Sequence, residues 1–185
     1  MSATTTYDIE AMARRLTELD DLEAIRDQQV RYGRALDWDD EALLAEVFWP
    51  DAEVDYGFFV GRGDEFVRVM MTITRESGCR PWHAISGQTV RLDGPAAADA
   101  ECYFMGCSTR SDVTGDTEVQ LIGGRYLDRF EKRDGAWRVA RRTLICDFRY
   151  KDVAPTESAV GFAAQLYDHG RLSPAHPLYW HFSRR

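Results

Sequence analysis

The sequence predicts an α+β fold: a curved antiparallel or mixed sheet packed on N-terminal helices. Three observations predict it. The first three helical patterns all lie before Gly78. Four long β-rich runs then follow one another, separated by turn signals and not by helices. Helices first and strands later is the order of a layered α+β domain, not of alternating βαβ units.

Residues 1 to 7 are polar and Thr-rich and read as a frayed start. Leu19, Leu22, Ile25, Gln29, Tyr32, Gly33 and Leu36 form a stripe that predicts a helix over 20–36. Asp20 and Asp21 suit its N-terminal end. Asp39 or Asp40 caps a second, short helix carrying Ala42, Leu43, Ala45, Val47 and Phe48, ended by Pro50. "AEVDYGFFVGRGDE" reads as two short strands about Gly57 with a turn at Gly61–Gly63. A third helix, "DEFVRVMMTITRES", takes Asp64 as cap and Gly78 as stop.

The strand runs are "PWHAISGQTVRL", "AAADAECYFMGCSTR", "EVQLIGGRYLDRFEKR" and "AWRVARRTLICDFRY". "DGP" at 93–95, "VTGD" at 113–116 and "RDG" at 133–135 separate them, the last being a tight hairpin signal. Gly123–Gly124, mid-strand, marks a bulge or a close approach. The last 30 residues suggest a helix over 156–167 and an extended aromatic tail, "SPAHPLYWHF", able to pack on a neighbouring copy. A single domain over 1–185 follows, with its core at 15–152 and the helix and tail at 155–185.

Composition narrows the function. A net charge of −8 argues against a nucleic-acid partner, which needs a basic footprint. No apolar run approaches the length of a membrane span, and the N-terminus has no secretory h-region. Cys79, Cys102, Cys107 and Cys146 show no paired spacing, and Cys102 and Cys107 face opposite sides of one strand. Reduced thiols and a cytoplasmic location are the expectation. No metal motif, phosphate loop or nucleophile elbow is present, so neither a metal nor a cofactor is expected.

What stands out is ionisable residues where the pattern expects apolar ones. Asp37 lies between Leu36 and Trp38 at the end of the first helix. His83 opens a strand on a face shared with Ile85 and Gly87. Arg142 shares a strand face with Ala140, Leu144 and Cys146, while Arg141 points the other way. Tyr32 and Tyr56 add two phenols. A histidine with a buried carboxylate is a general acid–base unit. Spacing alone does not place Asp37 against His83, and the ordinary alternatives are a helix cap, a core histidine and an ion-paired arginine. Tyr32 and Asp37 do not share a helical face, so they converge only if the helix ends near Leu36.

At "IRDQQVRYGRALDWDDEALLAEVFWPDAEVDY", "RPWHAISGQTVRL" and "GGRYLDRFEKRDGAWRVARRTLICDF" the chain resembles the SnoaL-like branch of the nuclear transport factor 2-like superfamily. Within it the motifs are most similar to the cofactor-free lyases: hexachlorocyclohexane dehydrochlorinase, bile-acid 7α-dehydratase and scytalone dehydratase. The resemblance implies a cone-shaped sheet around a cavity, with helices closing its mouth. It implies Asp37 and His83 as a catalytic dyad, Tyr32 as a third catalytic residue, and Tyr56, Arg142 and Trp82 as substrate-binding residues. The implied reaction is a dehydratase-type elimination on a hydrophobic cyclic small molecule. The alternatives are an isomerase or cyclase of a steroid- or polyketide-like ketone, or a non-catalytic binding or oxygenase small-subunit role. A homodimer or homotrimer is also implied.

Overall fold

The computed structural model describes residues 8–111, 116–155, 172–177 and 179. Helix α1 (Ile9–Asp37) leads into α2 (Glu41–Val47), the short strands β1 (Phe48–Asp55) and β2 (Val60–Arg62), and α3 (Gly63–Glu76). Four long strands follow: β3 (Arg80–Leu92), β4 (Ala97–Ser111), β5 (Asp116–Arg133) and β6 (Ala136–Pro155). They form one six-stranded sheet in the order β2-β1-β6-β5-β4-β3. All pairings are antiparallel except β1 with β6, which is parallel. The α+β class and the mixed curved sheet are therefore as the sequence indicates.

Several boundaries differ, each for a local reason. Helix α1 begins well before residue 20, because the Asp8 carboxylate accepts the Ala11 N–H at 2.9 Å and Ala, Met, Arg, Glu and Leu carry the next turns. Asp21 is no helix-end acid. It is buried mid-helix and accepts from the Trp137 indole and from Lys132, both at 2.7 Å. Asp40 caps α2, accepting the Leu43 N–H at 3.0 Å. Phe48 already belongs to β1, and Pro50 falls inside that strand, where its register with β6 breaks between Phe48 and Glu53. The hairpin reverses between Asp55 and Val60, so Gly61 is strand and Gly63 opens α3. Asp64 does not cap α3; Arg62 stands at the cap position and makes no side-chain capping bond. The helix expected at 156–167 lies outside the described residues.

The core fills the concave side of the sheet. Ile25, Tyr32 and Leu36 of α1, Leu44 and Val47 of α2, and Phe66 and Met71 of α3 meet Phe48, Cys102, Tyr126, Phe130 and Val139. Full burial of each such large apolar side chain contributes about 1.5–3 kcal/mol. Three bulges bend the long strands: β3 has an extra residue against β4 between Ser86 and Thr89, and β6 has one opposite Gly123/Gly124 and one opposite Arg129/Phe130 of β5. A side chain at Gly124 would start 1.9 Å from the Ile145 carbonyl oxygen, so this position is both bulge and close approach.

Candidate active site

The end of α1 meets the start of β3. Asp37 is the last helical residue, and its carboxylate takes both polar groups of His83 that face it. The His83 backbone N–H donates to Oδ2 at 3.0 Å, and the ring Nδ1 lies 2.6 Å from Oδ1. A carboxylate only accepts, so this contact places the hydrogen on Nδ1 and leaves the Nε2 lone pair free. Gly33 makes the approach possible. A Cβ there would sit 3.0 Å from the His83 Cβ, so a larger residue would push α1 off β3. Gly106, paired with His83 across β3 and β4, leaves room beside Nε2, since a Cβ at 106 would already be in van der Waals contact with it at 3.7 Å.

Tyr32, next to Gly33 and one turn before Leu36, is buried, its ring centroid 6.3 Å from that of His83. Its hydroxyl accepts from the Tyr56 hydroxyl at 3.0 Å. The Tyr126 ring stands edge-on at 5.3 Å, making a cluster of three buried phenols. Burial, first, pushes the pKa of all three well above the ordinary phenol value, so they are neutral donors at any physiological pH.

Arg142 lies under this cluster. Its guanidinium is over the rings of Tyr126 and Tyr32, at 4.3 and 4.6 Å. Nε and Nη2 bind the two oxygens of Asp128, each at 2.7 Å, and neither side chain is exposed. Burial works against its charge, but the Asp128 carboxylate outweighs that and holds the pKa well above the ordinary value. Nη1 has no hydrogen-bond partner. Gln29, one turn before Tyr32 on the buried face of α1, has neither amide atom satisfied. Buried polar atoms left open are rare and costly, and they mark where a ligand's polar group fits.

Asp37, His83, Tyr32, Tyr56 and Arg142 are thus brought into one region. Trp82 is not. Alternation along β3 puts it on the opposite face from His83, and it is 56% exposed there. The company of Arg142 also differs from the simple alternation. The bulge between Val139 and Arg141 turns Ala140 to the outer face beside Arg141, and Cys146 is exposed. Sequence reasoning missed Asp128 and Tyr126, and took Gln29 only as a stripe position. The available signal was an acid at 128 in phase with Tyr126 and Phe130 on an otherwise apolar strand face.

The described part of the C-terminal segment folds back onto its own chain. Trp38, next to Asp37, meets the rings of Tyr179 and His176 at 5.2 and 5.9 Å. The Tyr179 hydroxyl donates to the Asp40 carboxylate. A small cleft of about 60 Å³ beside Asp37 is bordered by Thr74, Pro81 and Leu172. Among the described residues no group of three His, Cys, Asp or Glu side chains gathers to hold a metal ion.

Residues 17–143 match the SnoaL-like domain family. Solved structures with the same fold include a candidate scytalone dehydratase from Novosphingobium aromaticivorans, 19% identical, covering 86% of this chain and 97% of that one with a TM-score of 0.63. A hexachlorocyclohexane dehydrochlorinase from Novosphingobium barchaimii is 19% identical over 80% of this chain and 99% of its own, with a TM-score of 0.64. The β subunit of a candidate aromatic-ring-hydroxylating dioxygenase from N. aromaticivorans is 23% identical over 71% and 92%, with a TM-score of 0.57. No curated protein sequence matches significantly. Identities this low speak for the fold alone, and the fold hosts both enzymes and an oxygenase subunit. The family match spans most of the chain, which belongs to the SnoaL-like domain family.

Proposed function

We propose that this SnoaL-like protein is a cofactor-independent lyase of the dehydratase type, acting on a hydrophobic cyclic small molecule. One observation carries the reading: the His83 ring Nδ1 lies 2.6 Å from the Asp37 carboxylate, with three buried phenols beside it. Asp37 orients His83, and Nε2 takes the proton from the carbon adjacent to the one bearing the leaving oxygen. The C–H electron pair becomes the new double bond. The C–O bond breaks, and the proton held on His83 completes the departing water. Tyr32, which accepts from the Tyr56 hydroxyl, donates its own hydrogen to a carbonyl or to the leaving oxygen. The open Nη1 of Arg142 and the Gln29 amide meet a polar group at the inner end. Arg142 is neutralised by Asp128, so the site favours a neutral oxygen over a carboxylate. The net charge of −8 opposes nucleic acid as a partner, and none of the described helices is long and apolar enough to cross a membrane.

The test is turnover of a cyclic β-hydroxyketone, followed by loss of water. His83→Ala is expected to lower the rate at least ~10²-fold, the lower end for general-base catalysis. Near-normal turnover by that variant sinks the mechanism. An isomerase would share the first step but return the proton to another carbon, giving a product of unchanged mass. A non-catalytic subunit role is supported by the likeness to the dioxygenase β subunit, and a stable hetero-complex indifferent to His83 replacement would favour it. A homodimer or homotrimer belongs to the same reading. Trp82, Tyr103, Met105, Phe148 and Tyr150 on the outer sheet face are each about half exposed, a patch that suits another copy.

A further inference from the structure

Helix α1 carries two apolar stripes on opposite sides. From Asp21 onward, Ile25, Gln28, Gln29, Tyr32, Gly33 and Leu36 face the sheet and are buried. Before Asp21 the large apolar residues are Ile9, Met12, Leu16 and Leu19, which are 78, 58, 61 and 46% exposed. At 100° per residue this first stripe points away from the side that the second one buries. Nothing in its own described domain covers it. The spacing alternates three and four residues, which is the a/d pattern of a coiled-coil seam over two heptads. Glu23 and Arg26 fall on the next seam positions and end it.

The flanking charges select the occupant. With Ile9 and Leu16 at a, and Met12 and Leu19 at d, Arg15 takes a g position and Asp20 the following e position. In a parallel pair, g of one helix meets the next e of the other, so Arg15 faces Asp20 of the second chain twice over. An antiparallel pair over the same four residues would set Arg15 against Arg15, which opposes that arrangement. Among the described residues Arg15 pairs with Glu18, at 2.8 Å and with both side chains more than half exposed, a contact that contributes little and exchanges readily. The sheet lies on the far side of α1 from the seam, so two domains can flank a parallel pair without collision.

We propose that the first three turns of α1 are a self-association arm, pairing in parallel with the same arm of a second copy through Ile9, Met12, Leu16 and Leu19. Two heptads cover less area than a stable interface needs, so association by the arm is weak and concentration-dependent. The proposal is independent of the lyase reading, and turnover is a separate readout on the same variants.

The experiment is sedimentation velocity of the full chain over a concentration series, at low and high salt. Leu16→Asp should lower the association constant at least tenfold with unchanged circular dichroism and turnover. Arg15→Asp and Asp20→Arg should each weaken association, and the double exchange should restore it. Three results overturn the proposal: a wild-type chain that does not associate by this interface, so that Leu16→Asp changes nothing; a wild-type chain that stays monomeric throughout; or single charge changes that the double exchange fails to rescue. Loss of turnover in His83→Ala with intact arm behaviour, or the reverse, separates the fates of the two readings.

Discussion

One transverse row of the sheet has two faces, and they treat the same kind of pair in opposite ways. On the inner face the row runs Ala100, Asp128, Arg142, Val54. On the outer face, one residue along each strand, it runs Asp99, Arg129, Arg141, Glu53. The inner pair, Asp128 with Arg142, is held at 2.7 Å with no exposure. The outer pair is held at nearly the same distance, Arg129 to Asp99 at 3.0 Å and to Asp93 at 2.7 Å, but with side chains 27, 42 and 64% exposed. Distance therefore does not rank these contacts. What differs is what each group loses when its partner goes: an outer group returns to water, whereas an inner one stays buried and charged.

The sharpest way to break the comparison is Asp128→Ala. It strands the Arg142 charge among three aromatic rings and is expected to destabilise by about 3–5 kcal/mol. The measurement is the denaturant midpoint at constant m-value. Changing both partners, Asp128→Leu with Arg142→Met, removes the two charges together. That variant should recover most of the lost stability, since a buried pair is often no better than apolar residues of similar volume. If the site reading holds, it should still fail to turn over substrate. A double variant as unstable as the single one would show that the pair supplies more than mutual neutralisation.

A smaller effect should appear in alkali. Burial pushes the Cys102 thiol from 9.0 up to about 12, and Cys102 lies on the same inner face. The folded chain holds this proton more tightly than the unfolded chain, so the group's contribution is complete below pH 9 and lost as pH rises towards 12. Tyr32, Tyr56 and Tyr126, also raised by burial, act in the same direction at higher pH. Stability measured against pH should therefore fall from about 9 upward, and Cys102→Ala should flatten the first part of that fall. An unchanged slope in the variant would remove Cys102 from the account.

The two faces also explain what could be read in advance. Asp37 and His83 were legible as acids and bases in apolar patterns, and the Arg141/Arg142 alternation separated an outer from an inner arginine. Asp128 could be read as an acid on the inner face, but its pairing with Arg142 could not. Pairing straight back from the Asp134–Gly135 turn would set Arg142 against Leu127. The bulge after Arg129 moves the register by one residue and brings Asp128 opposite instead. Nothing in the local composition of β6 announces that bulge, because its extra residue is Ala140 and no glycine or proline stands beside it. At Gly123–Gly124 the second bulge was visible for the opposite reason: two glycines sit where a Cβ would strike the neighbouring strand. Trp82, offered by the resemblance as a substrate-binding residue, stands on the outer face, as strand alternation from His83 requires.

The last prediction concerns the outer row and is the smallest. Asp99 accepts from Arg129 and from Arg91, and these contacts hold its pKa below the ordinary carboxylate value. Geometry alone would rank it with Asp128. Its exposure says otherwise, because water solvates Arg91 and Arg129 once the carboxylate is gone, and Asp93 still holds Arg129. Asp99→Ala is therefore expected to change stability by less than ~1 kcal/mol, and the difference should shrink further as salt screens the network. The check is the same denaturant midpoint, run at low and high ionic strength beside Asp128→Ala, whose loss should barely respond to salt. Equal losses for the two aspartates would mean that the row is governed by contact distance after all.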